Sequence, residues 1–295
     1  MTKILLTGKN GQLGWELQQA LAPLGTVVAT DRTQMDLTNP DAIRNVIREC
    51  APDIIVNAAG YTTVDKAEAE PALAHQINAV APGIMAEEAR RLNALLVHYS
   101  TDYVYDGTKG TPYVEDDIPN PLNVYGQSKL DGERAITASG CAHLILRASW
   151  IYSERGTNFV LTMLRLARER RELFVVDDQV GCPSWAKPLA LASAKILAGM
   201  QYPRSASGIY HLSASGWATR LDFVKAIALH AKQAYGPDTQ WAEIRPTTTA
   251  KFPLPAARPL FTASSKDKLK QAFGIEMLAW QEQLRLFMQS VSSKR

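Results

Sequence analysis

Cysteine is scarce in this chain of 295 residues: Cys50, Cys141 and Cys182 stand far apart, with no Cys-x-x-Cys pair. That argues against a disulfide framework or a zinc knuckle and for buried thiols in a reducing compartment. Histidine is hardly more abundant. His75, His98, His143, His211 and His230 are scattered, none in His-Glu-x-x-His or similar ligand spacing. They read as structural or surface residues, and no metal site is expected. An excess of either charge is also missing. With 32 basic against 29 acidic residues the net charge is +3, so the basic surplus of a nucleic-acid binder is absent, while room remains for a local pocket that takes a small anion. Long apolar runs are lacking as well. No stretch approaches the ~20 apolar residues of a membrane span, and the apolar start Lys3–Leu6 meets Gly8 and Lys9 too soon for a signal peptide. The expected location is the cytoplasm.

What is present is an ordinary globular composition, 46% apolar and 21% charged, enough for a sizeable core. The first half alternates apolar runs (Ile4–Leu6, Val27–Thr30, Ile54–Asn57, Leu95–Ser100, Leu144–Arg147) with helical patterns. The helices are expected over Gln12–Leu21, from the capping pair Asn39-Pro40 through Glu49, up to Asn93, and over Tyr125 to Ala138. Strands alternating with helices imply an α/β fold with a doubly wound parallel sheet, Rossmann-like. Runs without period-2 alternation suit strands covered on both faces. Beyond residue 150 the pattern loosens into helices near Phe159–Arg171, Pro188–Met200 and Leu221–Ala234. Arg245–Pro259, with four prolines, reads as an irregular loop. We expect a dinucleotide-binding domain over 1–150 and a smaller C-terminal substrate lobe over 151–295, with later elements returning to the sheet.

Gly8, Gly11 and Gly14 follow the first strand in a Gly-x-x-Gly-x-x-Gly turn that opens the first helix. Such a turn lets backbone approach a pyrophosphate at a helix N-terminus. Asp31, at the end of the second strand, is placed to meet the ribose hydroxyls of an adenosine, which suggests NADH; its neighbour Arg32 suits a 2′-phosphate, which suggests NADPH. Both cofactors stay open. Asp36 and Leu37 are placed to cover the adenine, and Asn57-Ala58-Ala59-Gly60 offers small side chains where a nucleotide passes close to backbone.

Tyr125 and Lys129 lie four apart at the start of a helix, so they share a face, and Ser100-Thr101-Asp102 ends the fourth strand. Carbonyl reduction by hydride needs a proton donor for the oxygen as charge builds on it. Tyr125 is assigned as that acid. Lys129 is expected to lower its pKa and to hydrogen-bond the nicotinamide ribose, and Thr101 to orient and polarise the carbonyl.

At these residues the sequence resembles the extended short-chain dehydrogenase/reductase superfamily and, within it, the dTDP-4-dehydrorhamnose reductase family. The stretches that carry the resemblance include GKNGQLGWEL from Gly8, VDKAEAE from Val64, HYSTDYV from His98, PLNVYGQSK from Pro121 and RASWIY from Arg147. The resemblance implies reduction of the 4-keto group of dTDP-4-dehydro-L-rhamnose, a dTDP-sugar that feeds a polysaccharide. It places Gly11, Gln12 and Leu13 at the pyrophosphate and Asp31, Asp36 and Leu37 at the adenosine. Gly60, Tyr61, Thr62 and Tyr99 would line the cofactor. Thr101, Asp102, Trp150, Asn158 and Arg258 fall at the substrate, Trp150 packing on the sugar and Arg258 pairing with the diphosphate. Two positions depart from the family. Tyr105 stands where Phe is usual, and Lys187 stands where some members place an acidic Mg²⁺ ligand at a dimer contact. The metal is therefore not carried over, and a homodimer stays open. Two alternatives remain: a reductase of another dTDP-4-keto-6-deoxyhexose, and a non-catalytic regulatory relative such as the methionine adenosyltransferase β subunit.

Overall fold

The computed structural model describes residues 1–199, 206–235 and 241–292. The first half runs β1 (Lys3–Thr7), α1 (Gln12–Leu21), β2 (Thr26–Thr30), α2 (Pro40–Cys50), β3 (Ile54–Asn57), α3 (Val64–Ala69), α4 (Pro71–His75), α5 (Ala81–Leu92), β4 (Leu95–Thr101), α6 (Val124–Ser139) and β5 (Ala142–Ala148). A π-helical turn, Gln76–Val80, joins α4 to α5. The second half runs β6 (Ile151–Tyr152), α7 (Phe159–Glu169), β7 (Glu172–Val176), β8 (Val180–Gly181), β9 (Ser184–Trp185), α8 (Ala186–Ala198), β10 (Gly208–His211), β11 (Ala218–Thr219), α9 (Arg220–Tyr235), β12 (Glu243–Thr247), α10 (Asp267–Phe273) and α11 (Trp280–Ser292).

Six strands form one parallel sheet in the order β2-β1-β3-β4-β5-β10. The doubly wound α/β architecture is thus present. Both faces of the inner strands are covered, which is why those strands read as continuous apolar runs, while the edge strand β2 alternates between exposed and half-buried residues. Ile4, Leu6, Val56, Val97 and Leu144 pack with Leu13 and Leu17 of α1 and Leu189 of α8. Leu5, Ile55, Leu96 and Ile145 pack on the opposite side with Ile43 of α2, Met85 of α5 and Ile136 of α6. Asn39 caps α2 by accepting from the backbone N–H groups of Asp41 and Ala42. The chain leaves β1 towards β2 and returns to β3 on the other side, so a crevice opens past the C-terminal ends of β1 and β3.

Three details differ from the sequence expectation. α7 ends at Glu169, and α8 spans Ala186–Ala198, while Met200 lies outside the described residues. Arg245–Thr247 is not irregular: it belongs to β12, which pairs in parallel with β7 and sets Pro246 opposite Val175. A two-stranded sheet consists only of edges, where a residue lacking an N–H is tolerated. The second half of the chain has an aromatic cluster of Tyr152, Trp185, Phe223, Trp280 and Phe287, with the Tyr152 and Phe287 rings edge to face at 5.1 Å.

Candidate active site

The turn after β1 is built for close approach. Gly8 has φ +77°, and a Cβ on Gly14 would stand 2.0 Å from the Gly8 carbonyl oxygen, so α1 can press against the turn only without a side chain there. No side chain caps α1, which leaves the first N–H groups of the helix available to an anion. The Gln12 side-chain oxygen is sealed from solvent without a partner among the described residues. An uncapped helix end beside a glycine turn with no room for a Cβ fits a bound pyrophosphate.

From this turn a cavity of about 1090 Å³ extends over the ends of β2, β3 and β4 to the lobe. It is lined by Gly8, Gly11, Gln12, Leu13, Asp31, Arg32, Asp36, Leu37, Gly60, Tyr61, Thr62, Tyr99, Thr101, Asp102, Tyr125, Lys129, Trp150 and Arg258, all expected from sequence. Two expected residues are not in the wall. Gly14 acts beneath the turn, as described. Asn158 is used up as the N-cap of α7: its Oδ1 accepts from Leu161 N at 3.1 Å and its Nδ2 donates to Ser153 O at 2.7 Å. Asp31 is already occupied too. Its carboxylate accepts from Thr33 N at 3.0 Å and Thr33 Oγ1 at 2.6 Å and pairs with Lys9 Nζ at 3.2 Å. The Thr33 hydrogen bonds, with help from Lys9, pull its pKa down to about 2.

The cap of α6 is Asn123, whose side chain accepts from Gly126 N. Two residues on, in the first turn of the helix, Tyr125 is half-buried in the cavity wall. Burial pushes its phenol well above the ordinary value, the neighbouring Thr101 hydroxyl acts in the opposite direction, and Asp102 and Tyr103 add to the rise. Lys129, expected to act on the Tyr125 phenol, lies one turn further along α6 and makes its polar contacts on the strand side. The Lys129 ammonium instead donates to the Tyr99 carbonyl at 2.6 Å and lies 3.1 Å from His98 Nε2. His98 Nδ1 is in turn 3.0 Å from the Asn57 amide nitrogen. Burial lowers Lys129 to about 8 and holds His98 neutral.

A buried ion pair locks α6 to the strands. Arg147 of β5 donates Nη2 to Glu133 Oε2 at 2.6 Å and Nε to Oε1 at 3.0 Å, and Ser100 of β4 donates its hydroxyl to the same carboxylate. Arg147 Nη1 also donates to the Tyr105 hydroxyl at 2.7 Å. The hydroxyl that distinguishes Tyr105 from the usual Phe is thus part of the network.

At the lobe end, Asp102 accepts hydrogen bonds from Thr262 at 2.6 Å, Ser149 at 2.7 Å and Thr101 at 3.2 Å. Arg258 pairs with Asp65 at 2.8 Å. Trp150 sits at φ +44°, and a Cβ on Gly181 would come within 2.4 Å of its indole, so Gly181 makes room for the ring. Sequence reasoning missed Tyr103, Phe159 and Arg220, which also line the cavity. Tyr103 was within reach, as the residue after Ser-Thr-Asp; nothing local marks Arg220.

The family described as RmlD substrate binding domain matches residues 1–293. Proteins named dTDP-4-dehydrorhamnose reductase from Burkholderia thailandensis and Escherichia coli K12 are similar throughout. The first is 42% identical over 297 residues, covering 99% of this chain and 100% of its own. The second is 43% identical over 282 residues, covering 94% of each. The crystal structure of dTDP-4-dehydrorhamnose reductase from Bacillus anthracis in complex with NADP matches with a TM-score of 0.90 at 35% identity, over 98% of this chain and 99% of that one. By sequence and by fold, this chain belongs to the RmlD substrate binding domain family.

Proposed function

We propose that this protein reduces the 4-keto group of dTDP-4-dehydro-L-rhamnose to give dTDP-L-rhamnose, with NADPH or NADH as the reductant. The observation that carries the reading is that Tyr125, Thr101 and Lys129 share the wall of one cavity whose far end is the glycine turn. The relatives named above bear the name of this activity, and the B. anthracis structure holds NADP.

Gly11, Gln12 and Leu13 would hold the pyrophosphate, with Asp31, Arg32, Asp36 and Leu37 around the adenosine. When bound, the reduced nicotinamide supplies the hydride. Tyr125 then supplies the proton: its raised pKa keeps the phenol protonated at neutral pH, ready to donate as charge builds on the carbonyl oxygen. Thr101, fixed by Asp102 and by the Tyr103 N–H at 3.2 Å, orients that oxygen. Lys129, buried beside Tyr99 and His98, holds the ribose through its ammonium. A pure binding module has no use for this set of three.

The test is incubation of the protein with dTDP-4-dehydro-L-rhamnose and NADPH. Loss of the reduced-cofactor absorbance with formation of dTDP-L-rhamnose is expected. Folded protein that leaves the absorbance unchanged refutes the reading.

A further inference from the structure

The lobe wall of the cavity contains a second guanidinium besides Arg258. Arg220 opens α9 directly after β11, which is tied to β8 through the pairs Ala218–Gly181 and Thr219–Val180. Its own N–H donates to Gln179 O at 3.0 Å, which fixes the backbone. The guanidinium carbon stands 3.5 Å from the centre of the Trp150 ring and 4.7 Å from that of Phe159. Aromatic rings therefore pack against the guanidinium and leave its in-plane N–H donors to polar partners. Among the described residues the Tyr103 hydroxyl is in polar contact with it, and no carboxylate forms an ion pair with it. Asp102, the acid that acts on it from a distance, is already hydrogen-bonded by Thr262, Ser149 and Thr101. Arg220 and Arg258 also repel one another, and both line the cavity.

A packed guanidinium with in-plane donors and a like-charged neighbour is stabilised by an anion that bridges both. The glycine turn serves the cofactor's pyrophosphate at the other end, so this anion belongs to the second ligand. The geometry points to Arg220 as the residue that grips the diphosphate of the nucleotide-sugar substrate, with Arg258 beside it. This assignment rests on the function proposed above. It also gives the stack on Trp150 a purpose: the ring that meets the sugar aligns the fork that meets the adjoining phosphates.

Calorimetric titration of the NADP⁺-loaded protein with dTDP and, separately, with thymidine tests it. Wild type should bind dTDP more tightly than thymidine. Arg220→Gln should weaken dTDP roughly tenfold or more, the worth of a charge-assisted hydrogen bond, while thymidine and NADP⁺ bind as before. Equal losses for dTDP and thymidine assign Arg220 to holding the lobe together, and unchanged dTDP affinity removes it from the site; either result overturns the assignment. If Arg220→Gln does not fold, Arg220→Lys keeps the charge without the fork and must still lose dTDP affinity; wild-type affinity there overturns it equally. Wild-type protein that fails to prefer dTDP over thymidine brings down the nucleotide-sugar reading as well.

Discussion

Arg147→Met puts the buried lock between α6 and the strands to the test. The Arg147 and Glu133 side chains are only 2% and 3% exposed and meet through two hydrogen bonds. Removing the guanidinium leaves the Glu133 carboxylate inside the fold with the Ser100 hydroxyl as its remaining partner among these groups, and takes a donor from Tyr105. Breaking a buried pair on one side costs about 3–5 kcal/mol, a large share of the roughly 5–15 kcal/mol that holds a typical domain together. Guanidinium denaturation followed by two spectroscopic probes should show this loss as a lower midpoint. The double variant Arg147→Met with Glu133→Leu separates desolvation from packing. With no charge left to strand, it should recover most of the loss, since apolar replacements of such pairs are often neutral or stabilising. A single variant within about 1 kcal/mol of wild type, or a double variant as weak as the single, refutes the argument that burial makes this pair costly to break.

Tyr125→Phe should retain cofactor affinity and lose about 10²–10⁴-fold in turnover, the usual share of a positioned acid; undiminished kcat removes Tyr125 from the chemistry. With Lys129 at about 8, kcat/KM should fall as pH rises through that value, because the ammonium is lost; a profile flat to pH 10 contradicts the assignment. The stability effect of the same group has the opposite sign. Between about 8 and the ordinary lysine value of 10.5 the unfolded chain holds the proton that the folded chain has released, so this contribution grows as pH rises, and Lys129→Met should flatten that part of a stability–pH curve. Gly14→Ala drives a methyl group against the Gly8 carbonyl and should displace the turn at a cost of about 1–3 kcal/mol, read by calorimetry as weaker NADPH binding. Unchanged affinity refutes the packing argument.

The legible part of the sequence is the part where one residue type answers one local demand. Doubly covered strands need unbroken apolar runs, and Leu5 between Ile4 and Leu6 shows it by facing the opposite core. Asn39-Pro40 and the glycine turn are local signals too. β7, β10 and β12 escaped notice because their stability comes from partners distant in sequence: Glu172–Val176 and Glu243–Thr247 pair with each other, and Gly208–His211 finds β5. In the site, Tyr125, Thr101 and the turn were legible because their chemistry is tied to fixed spacing. The surroundings of Lys129 were not, since His98 and Tyr99 come from β4 while Lys129 is on α6. Arg220 was invisible for the same reason, as the indole it packs on, Trp150, is distant in sequence. Asn158 misled because a good N-cap and a good ligand look alike in one dimension.

The sheet takes its sixth strand, β10, and one of its covering helices, α8, from chain that follows residue 150. During synthesis the N-terminal part emerges first. Until both elements are made, β5 carries a bare hydrogen-bonding edge, and the side of α1 that meets α8 stays wet. A fragment cut near that point would therefore be sticky rather than merely inactive, and the two halves are obliged to mature as one unit.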